Sequence, residues 1–441
     1  MVGHASVLIE TPEAGLLCDP WFGGRIFNDS WDLTSPSTPP EALAGRMTHL
    51  WVSHEHPDHL HWPSLKRLAA LVGNKAVLAF QQHWTTDVVT HLHRVGFGPV
   101  EELAPLRWTI LAPSLSVASI PCGPIDCGLA VRAGGSLILN LNDCKIGARY
   151  LKALSKRFPE PDLLCCQFSP ASWQPTSAVP GSAAEKLYAR AARYAAAFRP
   201  RRVLLFASHS YYCHRENARM NDYVASPAEA VERVRAMSGR EVAVLYPGDR
   251  WEPDTGFHAE GDSLERYRAD FAEARRRPPV ESPPADEHRL LEAAQARLRL
   301  VEKAYPRLAR RNTPPLRLHL HDLGRRLTLD IASCTASLDS GGECDLAAGS
   351  QAVEYACVER WGFDTFDISA RYEVLRGTKD HPALQFLYGL SAGLHFGRRW
   401  KEYMSLRAAR YFWARRWDLL DRWSKKRRER GEFVRALEGA G

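Results

Sequence analysis

The sequence predicts a layered α/β domain followed by a smaller α+β domain, on three observations. Between Val2 and about Trp251, short apolar runs such as "HLWVSH", "SLILNLND" and "RVLLFAS" alternate with stretches of helical spacing. Several of these runs are continuously apolar, which is typical of strands that are covered on both faces. Beyond a proline-rich segment, the pattern changes to a long helical stretch followed by strands with period-two alternation.

Helical periodicity in the first domain is clearest in three places: Pro63 to Leu71, Ala184 to Phe198 and Pro227 to Met237. Before the last of these, Ser226 can cap the helix and Pro227 can occupy its first turn. The predicted architecture therefore has helices on the outside of sheets.

The segment "ARRRPPVESPPADEH" sets the predicted domain boundary, because four prolines among charges cannot continue a helix or a central strand. We assign residues 1–273 to the first domain, 274–288 to a linker and 289–441 to the second domain. In the second, "LRLHLHDLGRRLTLDI" predicts two strands with a turn at Gly324. The basic, aromatic-rich tail from Trp400 to Arg430 predicts an amphipathic helix packed on its own domain. Contact with a membrane surface or an acidic partner is the alternative.

Composition narrows the class of protein. Of 441 residues, 45% are hydrophobic and 25% are charged, as in ordinary globular proteins. No run of about 18 apolar residues and no secretory signal is present, so we expect a cytoplasmic protein without a transmembrane segment. The ten cysteines are scattered and do not indicate a disulfide framework. A net charge of +7 is compatible with an anionic substrate, and we expect no nucleic-acid partner.

The stretch "HLWVSHEHPDHLH" concentrates candidate metal ligands directly after a predicted buried strand. The candidates, in the loop at the carboxyl end of that strand, are His54, His56, Asp58 and His59. Open α/β sheets hold ligands at this end of their strands. One histidine alone would more often be structural, but imidazole and carboxylate donors this close together predict a site for zinc, iron or manganese. His61 is a further candidate by proximity, although it fits the approach to the next helix.

The pattern "HxHxDH" after an apolar strand, preceded by "GHASVLIETPEAGLLCDPW", resembles the metallo-β-lactamase superfamily. The resemblance implies a four-layer αββα sandwich with two metal ions at one edge. It also implies that Asp143, which ends the strand in "SLILNLNDC", bridges the two metals; a turn aspartate at a strand end is the alternative. The last ligand is then His209 or His214, and the closer resemblance described below favours His214.

A third histidine, which the superfamily supplies to the first metal, is replaced in this chain by "SIPCGPIDCGLAV". Asp126 is the favoured substitute, because a carboxylate in this turn can reach the cluster and suits iron or manganese. Cys122 is the less favoured one, since a thiolate would suit zinc. A simple turn residue and a buried thiol are the structural alternatives.

Within the superfamily, the chain resembles the catalytic domain of the CMP-N-acetylneuraminate hydroxylase family over roughly residues 3–250, through "SHEHPDHLHWPSLKRL", "DCGLAVRAGGSLILNLNDC" and "LLFASHSYYCHREN". That family is an iron-dependent monooxygenase, so the resemblance implies oxygen chemistry. A carboxylate in place of an imidazole also weakens the Lewis acidity that hydrolysis needs and stabilises higher oxidation states. The paired Cys-x-His and Cys-x-x-His ligands of a Rieske cluster are not in the sequence, so we expect an external electron donor.

Three functions follow. The first is a diiron monooxygenase of a polar, nucleotide-linked or carrier-bound metabolite, with Asp58 and Asp143 as catalytic residues. Its expected ligands are His54, His56 and Asp126 on one iron, Asp58, His59 and His214 on the other, and Asp143 between them. The second is a dizinc hydrolase of a phosphodiester, lactone or amide, and the third is a non-catalytic binding protein with a degraded metal site. Five arginines can meet anionic groups of a small-molecule substrate: Arg201, Arg202, Arg215, Arg219 and Arg250.

Overall fold

A computed structural model gives the fold of residues 1–83, 87–123, 125–377, 379–391 and 405–421. Its first sheet has five strands: β1 Val7–Glu10, β2 Gly15–Cys18, β4 His49–Val52, β5 Val77–Gln81 and β6 Val100–Leu103. Their order across the sheet is β1-β2-β4-β5-β6, and all but β1 run parallel. Every residue of β4 is buried, as its continuous apolar run predicts.

The second sheet has seven strands: β7 Thr109–Ala112, β8 Leu115–Pro121, β9 Cys127–Ala133, β10 Ser136–Asn140, β11 Leu163–Gln167, β12 Arg202–Phe206 and β14 Glu241–Ala243. Their order is β14-β12-β11-β10-β9-β8-β7. In this sheet β10, β11, β12 and β14 pair in parallel, whereas β7, β8 and β9 pair antiparallel, as do β9 and β10. Two short ribbons complete this region: β3 Trp31–Leu33 with β13 Ser210–Tyr212, and β15 Arg250–Glu252 with β16 Gly256–His258.

Seven helices accompany these strands: α1 Pro40–Ala44, α2 Trp62–Val72, α3 Asp87–Val95, α4 Ala148–Arg157, α5 Ser182–Phe198, α6 Pro227–Ser238 and α7 Ser263–Ala274. Short 3-10 turns lie at Gly73–Lys75 and Ala218–Tyr223. The three predicted helices are therefore confirmed as α2, α5 and α6. Pro227 opens α6 as expected, but the side chain of Ser226 makes no capping hydrogen bond.

Three apolar clusters hold the two sheets and their helices together. One cluster joins side chains of both sheets, among them Leu16, Trp51, Leu129 and Phe206. A second covers the other face of the first sheet with α2, and a third covers the other face of the second sheet with α4, α5 and α6. Because each sheet is covered on both faces, the apolar side chains of its central strands are buried away from water. The predicted α/β architecture is confirmed.

The C-terminal region is built on a third sheet: β17 Leu316–Leu320, β18 Arg325–Asp330, β19 Thr335–Asp339, β20 Leu346–Ala348 and β21 Tyr372–Val374, in the order β19-β18-β17-β20-β21. Its helices are α8 Glu287–Ala304, α9 Arg307–Arg310, α10 Ser350–Val358, α11 Gly362–Ser369 and α12 Pro382–Ser391. The predicted pair of strands around Gly324 is confirmed as β17 and β18. Between α7 and α8 the chain is not helical, as its prolines predict.

The C-terminal region shares one apolar cluster with the β3–β13 ribbon of the N-terminal region. Leu298, Leu327 and Phe363 of the C-terminal region pack in the same cluster as Trp31 and Tyr212. The predicted boundaries at 273 and 289 stay a proposal, because this cluster joins side chains from both sides of them.

A last helix, α13 Leu406–Ala414, corrects the expectation for the basic tail. It packs on the N-terminal region rather than on its own. Tyr411 contacts the ring of His83, and the buried Arg415 donates hydrogen bonds to Gln81 Oε1 at 3.3 Å and to the carbonyl oxygen of Asp126 at 3.4 Å. Residues 400–404 and 422–430 of the predicted tail lie outside the described residues. Among the helices of the described residues, none is long and apolar enough to cross a membrane.

Arg371 joins the C-terminal region to the N-terminal region, and its removal should destabilise the fold. Its guanidinium, 1% exposed, donates to Glu216 Oε2 at 2.6 Å and to the carbonyl oxygen of Asn28 at 2.9 Å. Arg371→Leu leaves the carboxylate of Glu216 without this partner, so we expect the free energy of unfolding to fall by about 3 kcal/mol in urea denaturation. Arg268→Ala breaks an exposed pair with Glu265 that solvent screens, so it should leave the free energy of unfolding nearly unchanged. Equal losses in the two variants would contradict the account.

Candidate metal centre

The candidate ligands come together where strands of the two sheets end. His54 to His59 follow β4, Asp19 follows β2 on the same sheet, and Asp143 follows β10 of the second sheet. The carboxyl ends of parallel strands lie at one edge of a sheet, so side chains that follow them meet there. Asn142, with a φ of 37°, precedes Asp143, and its side-chain oxygen accepts the Asp143 backbone N–H at 2.7 Å.

Three donor groups form the tightest part of the centre. The Nε2 atom of His54 lies 2.8 Å from the Nδ1 atom of His56. An oxygen of Asp143 lies 3.8 Å from His54 Nε2. One ligand atom from each of these residues lies within 4.8 Å of the other two, and within the described ranges of the chain no other such group occurs. This part of the centre was predicted from the sequence.

A second set of donors, Asp58 and His59, lies beside the group formed by His54, His56 and Asp143. Asp58 Oδ2 is 3.4 Å from His59 Nε2, and the rings of His54 and His59 are 4.2 Å apart between centroids. His4 adds a further imidazole, whose Nε2 lies 3.5 Å from Asp58 Oδ2. The sequence analysis quoted "GHAS" only as part of the resemblance and missed His4 as a site residue. A histidine just before the predicted first strand was the signal that could have found it.

Two buried groups orient the imidazole rings. The hydroxyl of Ser53 contacts His54 Nδ1 at 2.9 Å and His59 Nδ1 at 3.1 Å. Asp19 Oδ2 contacts His59 Nδ1 at 2.9 Å, and Asp19 Oδ1 accepts the Ser53 backbone N–H at 2.7 Å. With Nδ1 of His59 engaged by a carboxylate, its Nε2 is left to face Asp58.

The C-terminal region also reaches the centre, which the sequence did not predict. Asp364 Oδ2 of α11 lies 3.4 Å from His56 Nε2, on the side of the ring that faces away from His54. Burial alone would lower the pKa of His56, but the carboxylate of Asp364, together with the charges of Asp58 and Asp126, outweighs burial and raises it to about 9. No pattern in the sequence connects Asp364 to the histidine motif.

The charges of the centre fit a cation. Burial opposes the ionisation of Asp58 and Asp143, but the surrounding imidazoles outweigh it and hold the pKa of both carboxyls below the usual range. Burial together with the neighbouring His59 lowers the pKa of His54. Among the described residues, the Oδ1 atoms of Asp58 and Asp143 are buried without a hydrogen-bond partner. Ionised carboxylate oxygens without a hydrogen-bond partner, beside several imidazole nitrogens, are a donor set that suits a divalent metal.

In the loop that lacks the third histidine, the two candidate substitutes, Asp126 and Cys122, have different surroundings. The carboxylate of Asp126 makes no hydrogen bond or ion pair with the described residues, but its charge acts to raise the pKa of both His54 and His56. It is not part of the tight donor group. Cys122 is buried in the cluster on the outer face of the second sheet, where its thiol contacts Cys144.

His209 and His214 both lie outside the tight donor group. The His209 ring stacks on Tyr267 at 4.0 Å between centroids. His214 Nε2 contacts Ser282 Oγ at 3.1 Å, and its Nδ1 accepts the Glu216 backbone N–H at 3.2 Å. Burial lowers the pKa of His214 to about 3. Both ring nitrogens of His214 are therefore engaged at the junction with the C-terminal region.

His61 serves the helix that follows the motif. It is the N-cap residue of α2, and its Nδ1 atom accepts the Ser64 backbone N–H at 3.3 Å. Burial lowers the pKa of His61 to about 4, so the ring is neutral and can accept this hydrogen bond. This agrees with its expected position at the approach to the helix.

A cavity of about 350 Å³ opens onto the centre. His4, His56, Asp58 and Asp143 line one end of it. The rest of the lining that bears on binding is Phe27, Trp31, Tyr212, Lys145, Lys186 and Arg190. In the part of the chain that the structure describes, none of these three cations forms an ion pair with a carboxylate. The cavity therefore carries carboxylates at one end and positive charge elsewhere.

The five arginines expected to meet a substrate do not line this cavity, which corrects that expectation. Four are paired with carboxylates: Arg202 with Glu241, Arg215 with Glu281, Arg219 with Glu373 and Arg250 with Glu252. The fifth, Arg201, donates to the carbonyl oxygen of Pro253. Sequence alone does not show which arginines are paired, since three of the four carboxylate partners lie far away along the chain.

Parts of the chain are similar in sequence to a known protein family and to several individual proteins. Residues 1–115 match the family described as the beta-lactamase superfamily domain. A protein of Mycolicibacterium smegmatis, provisionally named as a Rieske 2Fe-2S iron-sulfur protein, is 29% identical over 183 residues, which cover 40% of this chain and 34% of that protein. The cytidine monophosphate-N-acetylneuraminic acid hydroxylase of Danio rerio is 28% identical over 155 residues, 32% of this chain and 25% of the hydroxylase.

A metal-dependent hydrolase of Pyrobaculum arsenaticum is 38% identical over 58 residues, 13% of this chain and 22% of the hydrolase. The chain thus spans about a third or less of the length of these curated relatives. The metallo-beta-lactamase fold protein YhfI of Bacillus subtilis aligns with 57% of this chain and 92% of its own at 13% identity, with a TM-score of 0.39, too low to carry an argument. The family match over residues 1–115 and the similarity to the hydroxylase confirm the resemblance that the motif predicts.

Proposed function

We propose that the chain is a metal-dependent enzyme with a binuclear centre, and that it acts as a non-haem diiron monooxygenase or hydroxylase of a polar metabolite. The observation that supports the metal most strongly is the group formed by His54 Nε2, His56 Nδ1 and an oxygen of Asp143. A second ion is proposed because Asp58 and His59 offer another set of donors beside it.

The proposed ligands are divided between two ions. His54, His56 and Asp143 hold the first, and Asp58 and His59, with Asp143 between, hold the second. Asp126 stays a proposed ligand of the first ion, because its charge reaches both histidines. We replace His214 by His4 in the second set, as His214 has both nitrogens engaged and His4 faces Asp58.

When bound, the two irons would supply the oxygen activation that hydroxylation requires. The chain itself supplies ionised carboxylates at Asp58 and Asp143, which give the set of metal ligands a negative charge. The aromatic side chains of Phe27, Trp31 and Tyr212 line the cavity beside these carboxylates. They limit the water that can reach the reacting atoms.

Oxygen chemistry is favoured over hydrolysis on two grounds. The chain lacks the third histidine of the hydrolytic pattern, which leaves the centre richer in carboxylate and less Lewis acidic. It is also similar to a hydroxylase and to a protein named for a Rieske cluster. Electrons would come from an external donor. Similarity to a metal-dependent hydrolase supports the alternative, a dizinc enzyme acting on a phosphodiester, lactone or amide.

A non-catalytic binding protein with a degraded metal site is the third candidate, and the donor set disfavours it. Four imidazoles and two carboxylates converge beside a cavity, and two buried oxygens lack a partner among the described residues. Such groups are costly to bury without an ion. A degraded site would be expected to lose them.

The cavity supports an anionic substrate. Lys186 and Arg190 are four residues apart on α5 and therefore lie on one face of that helix. Two like charges at this spacing destabilise a helix slightly, which favours a role in binding. With Lys145 they place three cations in one cavity, and phosphate or carboxylate groups of a metabolite would neutralise them.

Metal analysis with oxygen uptake tests the leading proposal. In protein purified without added metal, we expect about two irons per chain, and oxygen consumption when a chemical reductant and substrate candidates are added. The hydrolase alternative predicts two zincs and no oxygen uptake. Protein with no stoichiometric metal in either assay would contradict both enzymes and leave the binding protein.

Anion binding tests the three cations without requiring metal or turnover. In metal-free protein, calorimetry with pyrophosphate should show binding that weakens about tenfold in Lys186→Gln, because one charge-assisted contact is lost. Lys152→Gln changes the same charge on α4, outside the cavity, and serves as the matched control. Equal affinities in both variants would rule out the proposed contact.

Metal binding should release a proton from His56. Its pKa of about 9 means that the metal-free ring is protonated at pH 7, and a metal can bind Nδ1 only after this proton leaves. The carboxyls of Asp58 and Asp143 are already ionised and release none. Metal affinity should therefore rise with pH up to about 9. Burial would lower the pKa of His59, but Asp58 and Asp19 outweigh it and hold this pKa well above its usual value, so a metal that binds His59 displaces a second proton. Calorimetry in two buffers of different ionisation enthalpy should show about two protons released at pH 7; heat independent of the buffer would contradict this.

A further inference from the structure

His56 is contacted on both of its ring nitrogens. Its Nδ1 faces His54 Nε2 at 2.8 Å, inside the candidate centre, and its Nε2 faces Asp364 Oδ2 at 3.4 Å. In neutral imidazole one nitrogen carries a hydrogen and the other a lone pair. A carboxylate on one side keeps the hydrogen there and leaves the other nitrogen free to bind a metal.

The same arrangement occurs at His59, within the N-terminal region. Asp19 lies 2.9 Å from His59 Nδ1, and His59 Nε2 faces Asp58. Asp19 comes from the loop after β2, close to the motif along the chain. Asp364 provides the corresponding carboxylate from a helix of the C-terminal region, so two neighbouring histidines have matched partners of different origin.

Packing of α11 fixes where Asp364 lies. Phe363 and Phe366 of this helix are buried in the C-terminal apolar cluster. Gly362 begins the helix where a Cβ atom would lie 2.3 Å from the Ala356 carbonyl oxygen, so only glycine allows this close approach to α10. Asp364 stands in the first turn of α11, where the helix dipole favours a carboxylate.

Two side chains, Asn217 and Arg371, tie α11 and the residues after it to the N-terminal region. The side-chain amide of Asn217 donates to the Ser369 carbonyl oxygen at 2.7 Å, at the end of the helix. Two residues after α11 ends, Arg371 donates to the Asn28 carbonyl oxygen and to Glu216. These contacts hold the helix at a fixed distance from the loop that carries His56.

We propose that Asp364 is a positioning residue of the metal centre, through which the C-terminal region sets the tautomer and orientation of His56. This inference rests on the proposed metal centre and extends it. It gives the C-terminal region a direct part in the site, and it does not depend on whether the metal is iron or zinc.

Metal affinity tests the inference directly. In full-length, metal-free protein, competition with a chromophoric chelator should show that Asp364→Asn binds Co²⁺ about 10–100-fold more weakly than the unchanged protein. The visible spectrum of bound Co²⁺ should also change. Asp364→Glu keeps a carboxylate and should recover part of the affinity.

Asp367→Asn is the matched control. It removes a carboxylate one turn further along the same helix, which contacts the Tyr372 hydroxyl at 2.9 Å and Lys379 Nζ at 3.3 Å and not His56. It should lower the thermal stability and leave Co²⁺ affinity unchanged. Unchanged affinity and spectrum in Asp364→Asn would overturn the inference, even if the protein consumes oxygen as proposed.

A measurement on the unchanged protein covers the case in which Asp364→Asn does not fold. Long-range ¹H–¹⁵N correlation spectra of the Zn²⁺-loaded chain report which ring nitrogen of His56 carries hydrogen. We expect the hydrogen on Nε2, facing Asp364. Hydrogen on Nδ1 would overturn the inference, whereas failure of oxygen uptake alone would affect only the proposed function.

Discussion

Burial of charge at the meeting point of two sheets is the constraint on which the site depends. Asp58 and Asp143 lie among imidazoles at strand ends, and their carboxyls stay ionised although burial opposes it. Isolated buried carboxylates would cost several kcal/mol each. The fold tolerates them because His54, His59 and their neighbours share the charge, and because the same donors can hold metal cations.

Burial of these charges also requires the surrounding imidazole rings to be held in fixed orientations. Ser53 and Asp19 fix the rings of His54 and His59 from the N-terminal region. His56 lies nearer the surface of the site and takes its outer contact from Asp364. The apolar cluster shared by the two regions makes that contact possible, because it holds α11 against the loop.

Sequence predicted most where chemistry and position are local. The apolar run of β4 followed by the histidine motif predicted the strand, the loop and the two histidines of the tight donor group, because neighbours in the chain stay neighbours in space. Asp143 was predicted through a resemblance. His4 and Asp364 were missed because their approach depends on how distant segments pack. His214 was predicted at the centre, yet its ring nitrogens are engaged elsewhere.

The C-terminal region shows the same limit of local patterns. Period-two alternation predicted β17 and β18, and the prolines predicted the break before α8. The tail was predicted to pack on its own domain, and its helix α13 packs on the N-terminal region instead. An amphipathic pattern shows that one face of a helix is covered, but not which part of the chain covers it. Arg415, directly after α13, contacts Gln81 and the loop that holds Asp126. This part of the tail therefore packs against the segment in which the third histidine is missing.

Anomalous diffraction from crystals of the protein with its native metals is the most direct test of the central claim. Data collected on both sides of the iron edge should show two peaks, one between His54, His56 and Asp143 and one beside Asp58 and His59, with His56 bound through Nδ1. A single peak, or none at these side chains, would contradict a binuclear centre. Peaks that appear only at the zinc edge would keep the centre and contradict the oxygenase.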